Sequence, residues 1–232
     1  MRQEPQENKP FFNALLNEEN TWPLIMRRNA GLVPKPRWEN VDEAFGQSLE
    51  QWLRVLPDSL RQKRQEGEFS FFWNYSEDSR KIALLEDAHL EQLAVILGVT
   101  FYAPDFSRIV ERSKLLECRK ILGEDLLNYA QMRGQFYTGE AGRLFVHYDE
   151  DLPLTERALL HGWLALQSLS LAWPQNLTRS FQERLSLLSS KHGISLIKNV
   201  TLKDSDRKTL WRLVKKCLLR EVAPEWAQYF ST

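Results

Sequence analysis

A mainly α, helical globular fold is predicted for this 232-residue chain, in one or two lobes and with at most one or two short β-strands. Three observations carry the expectation. Apolar residues recur at three- and four-residue spacing along most of the sequence, the period of a helix with one buried face. Glycine, proline and short polar residues punctuate that pattern where helices start and stop. The chain is also long enough to bury a core without disulfide or metal staples.

Taken in order, residues 1–10 are polar and read as a disordered tail. Residues 11–19 form a short helix that brings Phe11, Phe12, Leu15 and Leu16 to one side as a docking segment. Gly31, Pro34 and Pro36 forbid a continuous helix over 24–38, because proline removes a donor and pushes its predecessor towards extended geometry. A helix over 41–55 aligns Val41, Phe45, Leu49, Trp52 and Leu56, and Pro57 opens a second helical segment to residue 65. In FSFFWNY, Phe69, Phe71, Trp73 and Tyr75 alternate, whereas Phe72 breaks the pattern, which fits either a short strand or an irregular aromatic plug.

Asp87 is placed to cap the helix AHLEQLAVILG, with Leu90, Leu93, Ala94 and Leu97 as its buried stripe and Gly98 as a left-handed stop. Helix continues over 107–122 with Ile109, Leu115, Leu116 and Ile121 as core candidates. Gly123, Glu124 and Asp125 lead into a further helix that ends near Gly134. The three glycines Gly134, Gly139 and Gly142 make 134–143 a flexible junction between an N-terminal lobe, 11–133, and a C-terminal lobe, 144–232. RLFVHY after it suggests a short strand.

Asp151 and Pro153 begin a long helix reaching Trp173. Trp163, Leu164 and Leu166 make it apolar almost all round, as a central helix should be. His161, Gln167, Ser168 and Ser170 interrupt this run and Pro174 closes it, so it is too short and too polar to cross a bilayer. Asn176 caps the next helix, whose buried face is Leu177, Phe181, Leu185 and Leu188. A last helix over 205–222 precedes Pro224 and a terminal turn at 225–230.

The chemistry of the chain is restrained. With 31 basic and 31 acidic residues, nothing global attracts nucleic acid or an acidic membrane. Cys118 and Cys217 lack metal-ligand spacing and read as reduced, partly buried thiols. MRQEPQENKP has no apolar core of a secretory signal, so a cytosolic location is expected, and the sequons at Asn74, Asn176 and Asn199 are chance matches. No P-loop, dinucleotide fingerprint or serine elbow occurs, and His89, His147, His161 and His192 lie far apart. His161 fits a core histidine, and Asp149, Glu150 and Asp151 fit the start of a helix better than a cation site. No catalytic, cofactor or metal site is expected.

Two features point to binding. On the last helix Lys208, Arg212, Lys215 and Lys216 lie opposite Leu210, Leu213, Val214, Cys217 and Leu218, a basic face suited to an acidic partner surface or to lipid headgroups, and also readable as a solvated helix face with cations near its C-terminus. Eight tryptophans are many for this length, and Trp22, Trp38, Trp173 and Trp226 stand near breaks where a partly exposed ring serves as an interface anchor. The four cations and Trp226 are the expected partner contacts.

The block DAHLEQLAVILGVTFYAPDFSRIVERSKLLECRKILGEDLLNYA, residues 87–130, resembles the central block of the SctK (YscK-like) proteins of bacterial type III secretion systems. Leu97-Gly98, Tyr102-Ala103, Ile109-Val110 and Leu122-Gly123-Glu124 stand in the family's order. Phe12-Asn13, the proline-rich approach to Trp38 and Val222-Ala223-Pro224-Glu225-Trp226 extend the similarity towards both ends. The chain departs from the pattern at ISLIKNV, 194–200, which lacks an expected proline.

The resemblance implies a cytosolic, non-enzymatic adaptor of the injectisome sorting platform, without cofactor, at the cytosolic face of the inner membrane. Such a protein bridges the cytoplasmic domain of the inner-membrane ring protein to the platform scaffold (SctQ-like, pod) protein, and through it to the stator and ATPase. It binds no nucleic acid and inserts into no membrane. The alternatives are a helical regulator or chaperone of a secretion substrate, and an enzyme of an unrecognised helical class.

Overall fold

The structure, a computed structural model, describes residues 75, 77–145, 147–196 and 200–230. The expected tail, the helices at 11–19 and 41–65, the 24–38 connector, Trp22, Trp38 and nearly all of FSFFWNY lie outside the described residues. The chain divides into two compact units, Met1–Leu84 and Leu85–Thr232. In the first, Asp78–Leu84 form a 3-10 helix in which Lys81 pairs with Asp78 at 3.1 Å and Arg80 with Glu77 at 3.0 Å.

The second unit is helical, and no strand occurs among the described residues. Its α-helices are α1 (Asp87–Phe101), α2 (Ala103–Ser107), α3 (Arg112–Leu122), α4 (Glu124–Tyr129), α5 (Gln135–Thr138), α6 (Leu154–Ser170), α7 (Gln175–Lys191) and α8 (Asp204–Cys217). A π-helical turn, Ala130–Gly134, joins α4 to α5, and a second, Leu218–Val222, extends α8. Two 3-10 helices, Gly139–Arg143 and Pro224–Tyr229, complete the unit.

The centre of this unit is the crossing of α1 and α6. Each helix contributes an alanine and, four residues on, a glycine: Ala94 and Gly98, Ala158 and Gly162. A Cβ on Gly98 would overlap the Ala158 carbonyl and stand 3.2 Å from the Gly162 nitrogen. One on Gly162 would overlap the Ala94 carbonyl and stand 2.9 Å from the Gly98 nitrogen. Backbone therefore packs on backbone here. Gly98 is not a left-handed stop, since the helix runs on through buried Val99, Thr100 and Phe101; it is the site of closest approach.

Around that crossing the expected apolar stripes hold. Leu90, Leu93, Ala94 and Leu97 on α1, Leu177, Phe181, Leu185 and Leu188 on α7, and Leu210, Leu213, Val214, Cys217 and Leu218 along α8 and its π turn are all buried. Every residue of α6 from His161 to Ser170 is buried, as expected of a central helix. Both cysteines are free and buried.

Other expectations are corrected. The segment 134–143 is inside the Leu85–Thr232 unit rather than at a junction of lobes. Thr138 Oγ1 donates to the Thr100 carbonyl at 2.6 Å, and a Cβ on Gly142 would overlap the Thr138 Cγ2 methyl. Only Gly139, at φ 47°, uses a glycine's conformational freedom in this stretch. The helix expected to end near Gly134 passes through the π turn and continues to Thr138. The described residues of RLFVHY make no strand: Leu144 N–H donates to Ala141 and Tyr148 N–H to Phe145, closing local turns, while Phe145 enters the core.

None of the proposed caps closes a helix end. Asp87 lies within α1, behind Glu86, and accepts from Arg184 Nε at 2.6 Å. Pro153 and Pro174, which offer no side-chain acceptor, precede α6 and α7. Asp151 thus lies ahead of α6, and Asn176 lies inside α7, where its Oδ1 accepts from Leu177 N–H at 2.9 Å. The 107–122 helix is broken by residues 108–111, where Val110 is 93% exposed. On α3 a narrow stripe of Cys118 and Leu122 is buried, so Leu116 and Ile121 face outward instead of forming core.

Candidate functional site

Two constellations gather polar side chains, one internal and one on the surface. Internally, the hydroxyl of Tyr102, between α1 and α2, lies 2.6 Å from His161 Nδ1 on α6. His161 Nε2 faces Asp149 Oδ2 at 4.0 Å, and Asp149 holds a φ of 51°. Burial, opposed by the Arg157 guanidinium over the Tyr102 ring, pushes the phenol up to about 12. The phenol therefore keeps its proton, and the imidazole tautomer sets which of the two groups donates in this contact. His161 is fully buried, so this chain of groups ties α6 to the α1–α2 corner and the 147–153 loop.

A second internal link joins α1, α4 and α8. Thr100 Oγ1 donates to the Ile96 carbonyl at 2.6 Å and lies 2.7 Å from Tyr129 Oη and 3.8 Å from Cys217 Sγ. Burial pushes the Cys217 thiol up to about 12 and raises the Tyr129 phenol as well. The linkage sign follows from these directions. Each folded group holds its proton more tightly than in the unfolded chain, so stability is full below the unfolded values of 9.0 for Cys and 10.0 for Tyr, and declines as pH rises towards 12. Urea midpoints are therefore expected to be level with respect to these groups below pH 9 and to fall above it. A Tyr102→Phe/Cys217→Ala variant should show a shallower fall; an equal slope contradicts this assignment.

On the surface, α8 and its π turn carry a basic ridge. Lys208, Arg212, Lys216 and Arg220 are all exposed and follow one another at four-residue steps. Between Arg207 and Arg220 the chain has six cations and no acid. Arg207 pairs with Asp204 at 3.1 Å, and Lys215, half-buried, extends its Nζ over the Phe230 ring at 5.6 Å. The like-charge neighbours Lys208/Arg212, Arg212/Lys216 and Lys216/Arg220 each oppose the helix by about 0.2–0.5 kcal/mol. The free protein thus carries a strip that costs it roughly 1 kcal/mol.

The C-terminal end of the ridge is held in place by the α4–α5 segment. Glu221, whose side chain is 5% exposed, accepts from Tyr137 Oη at 3.0 Å and pairs with Arg133 at 3.1 Å. Lys216 Nζ sits 4.2 Å from the Tyr137 ring centre. Arg133 and Glu221 each belong to a π-helical turn, a distortion often found at functional sites. Beside them, on the same turns as Arg133 and Tyr137, Met132 and Phe136 are 71% and 74% exposed.

Of the sequence-nominated contacts, Lys208, Arg212 and Lys216 share the exposed ridge, while Lys215 leans onto the C-terminal aromatic residues. Trp226 is corrected: it is 5% exposed and packs on Tyr229 and Phe230, with ring centres 5.2 and 6.5 Å away. Trp173 is likewise buried, against Phe181 at 5.0 Å. Arg220 was missed although the four-residue spacing pointed to it. Arg133, Met132 and Phe136 were missed because their segment read as the end of a helix before a loose junction.

Among the described residues no group of three His, Cys, Asp or Glu side chains could hold a metal ion, and no helix is long and apolar enough to cross a membrane. Comparison of the chain with protein-family models, with curated proteins and with solved structures gave no match.

Proposed function

We propose that this protein is a non-enzymatic docking adaptor, and specifically the sorting-platform adaptor of a type III secretion system that residues 87–130 resemble. In that role it sits at the cytosolic face of the inner membrane. It bridges the cytoplasmic domain of the ring protein to the platform scaffold protein, and indirectly to the stator and ATPase. The observation that carries the docking role is the acid-free ridge Lys208, Arg212, Lys216 and Arg220. Uncompensated like charge on a helix is unfavourable in the free protein and becomes favourable when a carboxylate surface covers it.

The test is affinity purification of the tagged, full-length protein from gently lysed cells that naturally make it, with identification of everything recovered. Recovery of a ring, scaffold or stator component is the expected result. Recovery of none from cells with an active secretion apparatus removes the platform assignment.

A further inference from the structure

We infer that the partner segment seated on the ridge is an acidic amphipathic helix of another protein, which places carboxylates against Lys208, Arg212, Lys216 and Arg220 and apolar residues against Met132 and Phe136. This rests on the docking reading above and adds the chemistry of what docks.

Charge complementarity and shape both argue for that occupant. Four-residue steps set the cations roughly 6 Å apart, about 18 Å end to end, which is the repeat of a second helix with carboxylates at the same spacing. The strip has a finite length: in chain order Asp204 and Asp206 precede it, and Glu221 and Glu225 follow it. A short protein segment fits such a strip, whereas a nucleic-acid backbone continues its negative charge past both ends. A membrane surface is disfavoured because α8 turns its main apolar face, Leu210, Leu213, Val214 and Cys217, into the core rather than towards a bilayer. Met132 and Phe136, exposed and each one residue before a side chain that reaches the C-terminal end of the ridge, Arg133 to Glu221 and Tyr137 to Lys216, supply what charge alone does not, an apolar anchor.

The test places the photo-cross-linker p-benzoylphenylalanine at Phe136 and, separately, at Arg212, in full-length protein in its native cells, and reads the cross-linked peptides by mass spectrometry. Both positions are expected to capture the same segment of one protein, bearing Asp or Glu at four-residue spacing. Lys208→Glu/Lys216→Glu should lower the yield from the Phe136 position about tenfold or more. Capture of nucleic acid or lipid, capture of a segment without carboxylates, or no capture overturns the inference. An acidic helix from a protein outside the secretion platform keeps this inference and removes the platform assignment. Platform proteins recovered by affinity purification without these cross-links do the reverse.

Discussion

Gly98→Ala is expected to lower the unfolding free energy by about 3 kcal/mol, and Gly162→Ala by a similar amount. The sign is what makes the test sharp. In an ordinary helix interior the same change stabilises by about 1 kcal/mol through helix propensity. Here the new methyl would overlap the Ala158 carbonyl in one case and the Ala94 carbonyl in the other, and backbone cannot rotate aside as a side chain can. Relief requires α1 and α6 to separate, which opens the most buried part of the core. The two changes act on one contact, so the double variant should lose less than the sum of the singles. Chemical denaturation decides it: a neutral or stabilised Gly98→Ala protein contradicts the backbone-on-backbone crossing.

His161→Leu is expected to cost about 2–3 kcal/mol, mostly because it leaves the Tyr102 hydroxyl buried without its hydrogen-bond partner. The His161 ring also packs on Phe145, with ring centres 5.9 Å apart, so a change of shape is felt there too. Removing the hydroxyl as well separates the two contributions. Tyr102→Phe/His161→Leu should recover on the order of 1 kcal/mol relative to the sum of the two single losses. Strictly additive losses would mean that the 2.6 Å Tyr102–His161 contact contributes nothing to stability.

How far the sequence led can be judged from particular residues. Periodicity located the buried faces of α1, α6, α7 and α8 because burial of one helical face leaves a direct imprint on residue order. It could not tell what a glycine is for. Gly98 follows Leu97 as a helix stop would, and its actual role needs a second helix, Leu154–Ser170, whose register along α1 is a tertiary fact. The paired pattern of Ala94 with Gly98 and Ala158 with Gly162 was present to be read, but only as a pair.

Tertiary contacts likewise overrode local signals at 134–143, where Gly134 and Gly142, which suggest looseness, serve tight packing instead. At Trp226 an aromatic ring two residues after a proline turned inward onto Tyr229 and Phe230. The ridge was largely legible, since exposed like charges at helical spacing need no partner element to be seen. Exposed Met132 and Phe136 were not, because the π turn Ala130–Gly134 that carries the helix on to Thr138 has no clear sequence signature.

The docking claim is tested most directly by measuring partner recovery and urea stability side by side for the wild-type protein and Lys208→Glu/Lys216→Glu. That pair of changes turns all three like-charge neighbours on the ridge into opposite-charge neighbours while leaving the buried face of α8 untouched. The expected result is a stability within about 1 kcal/mol of the wild type, since relief of repulsion offsets the lost contact of Lys216 with Tyr137, together with loss of the recovered partners. Undiminished recovery by a folded variant would contradict the assignment of the ridge as the docking surface.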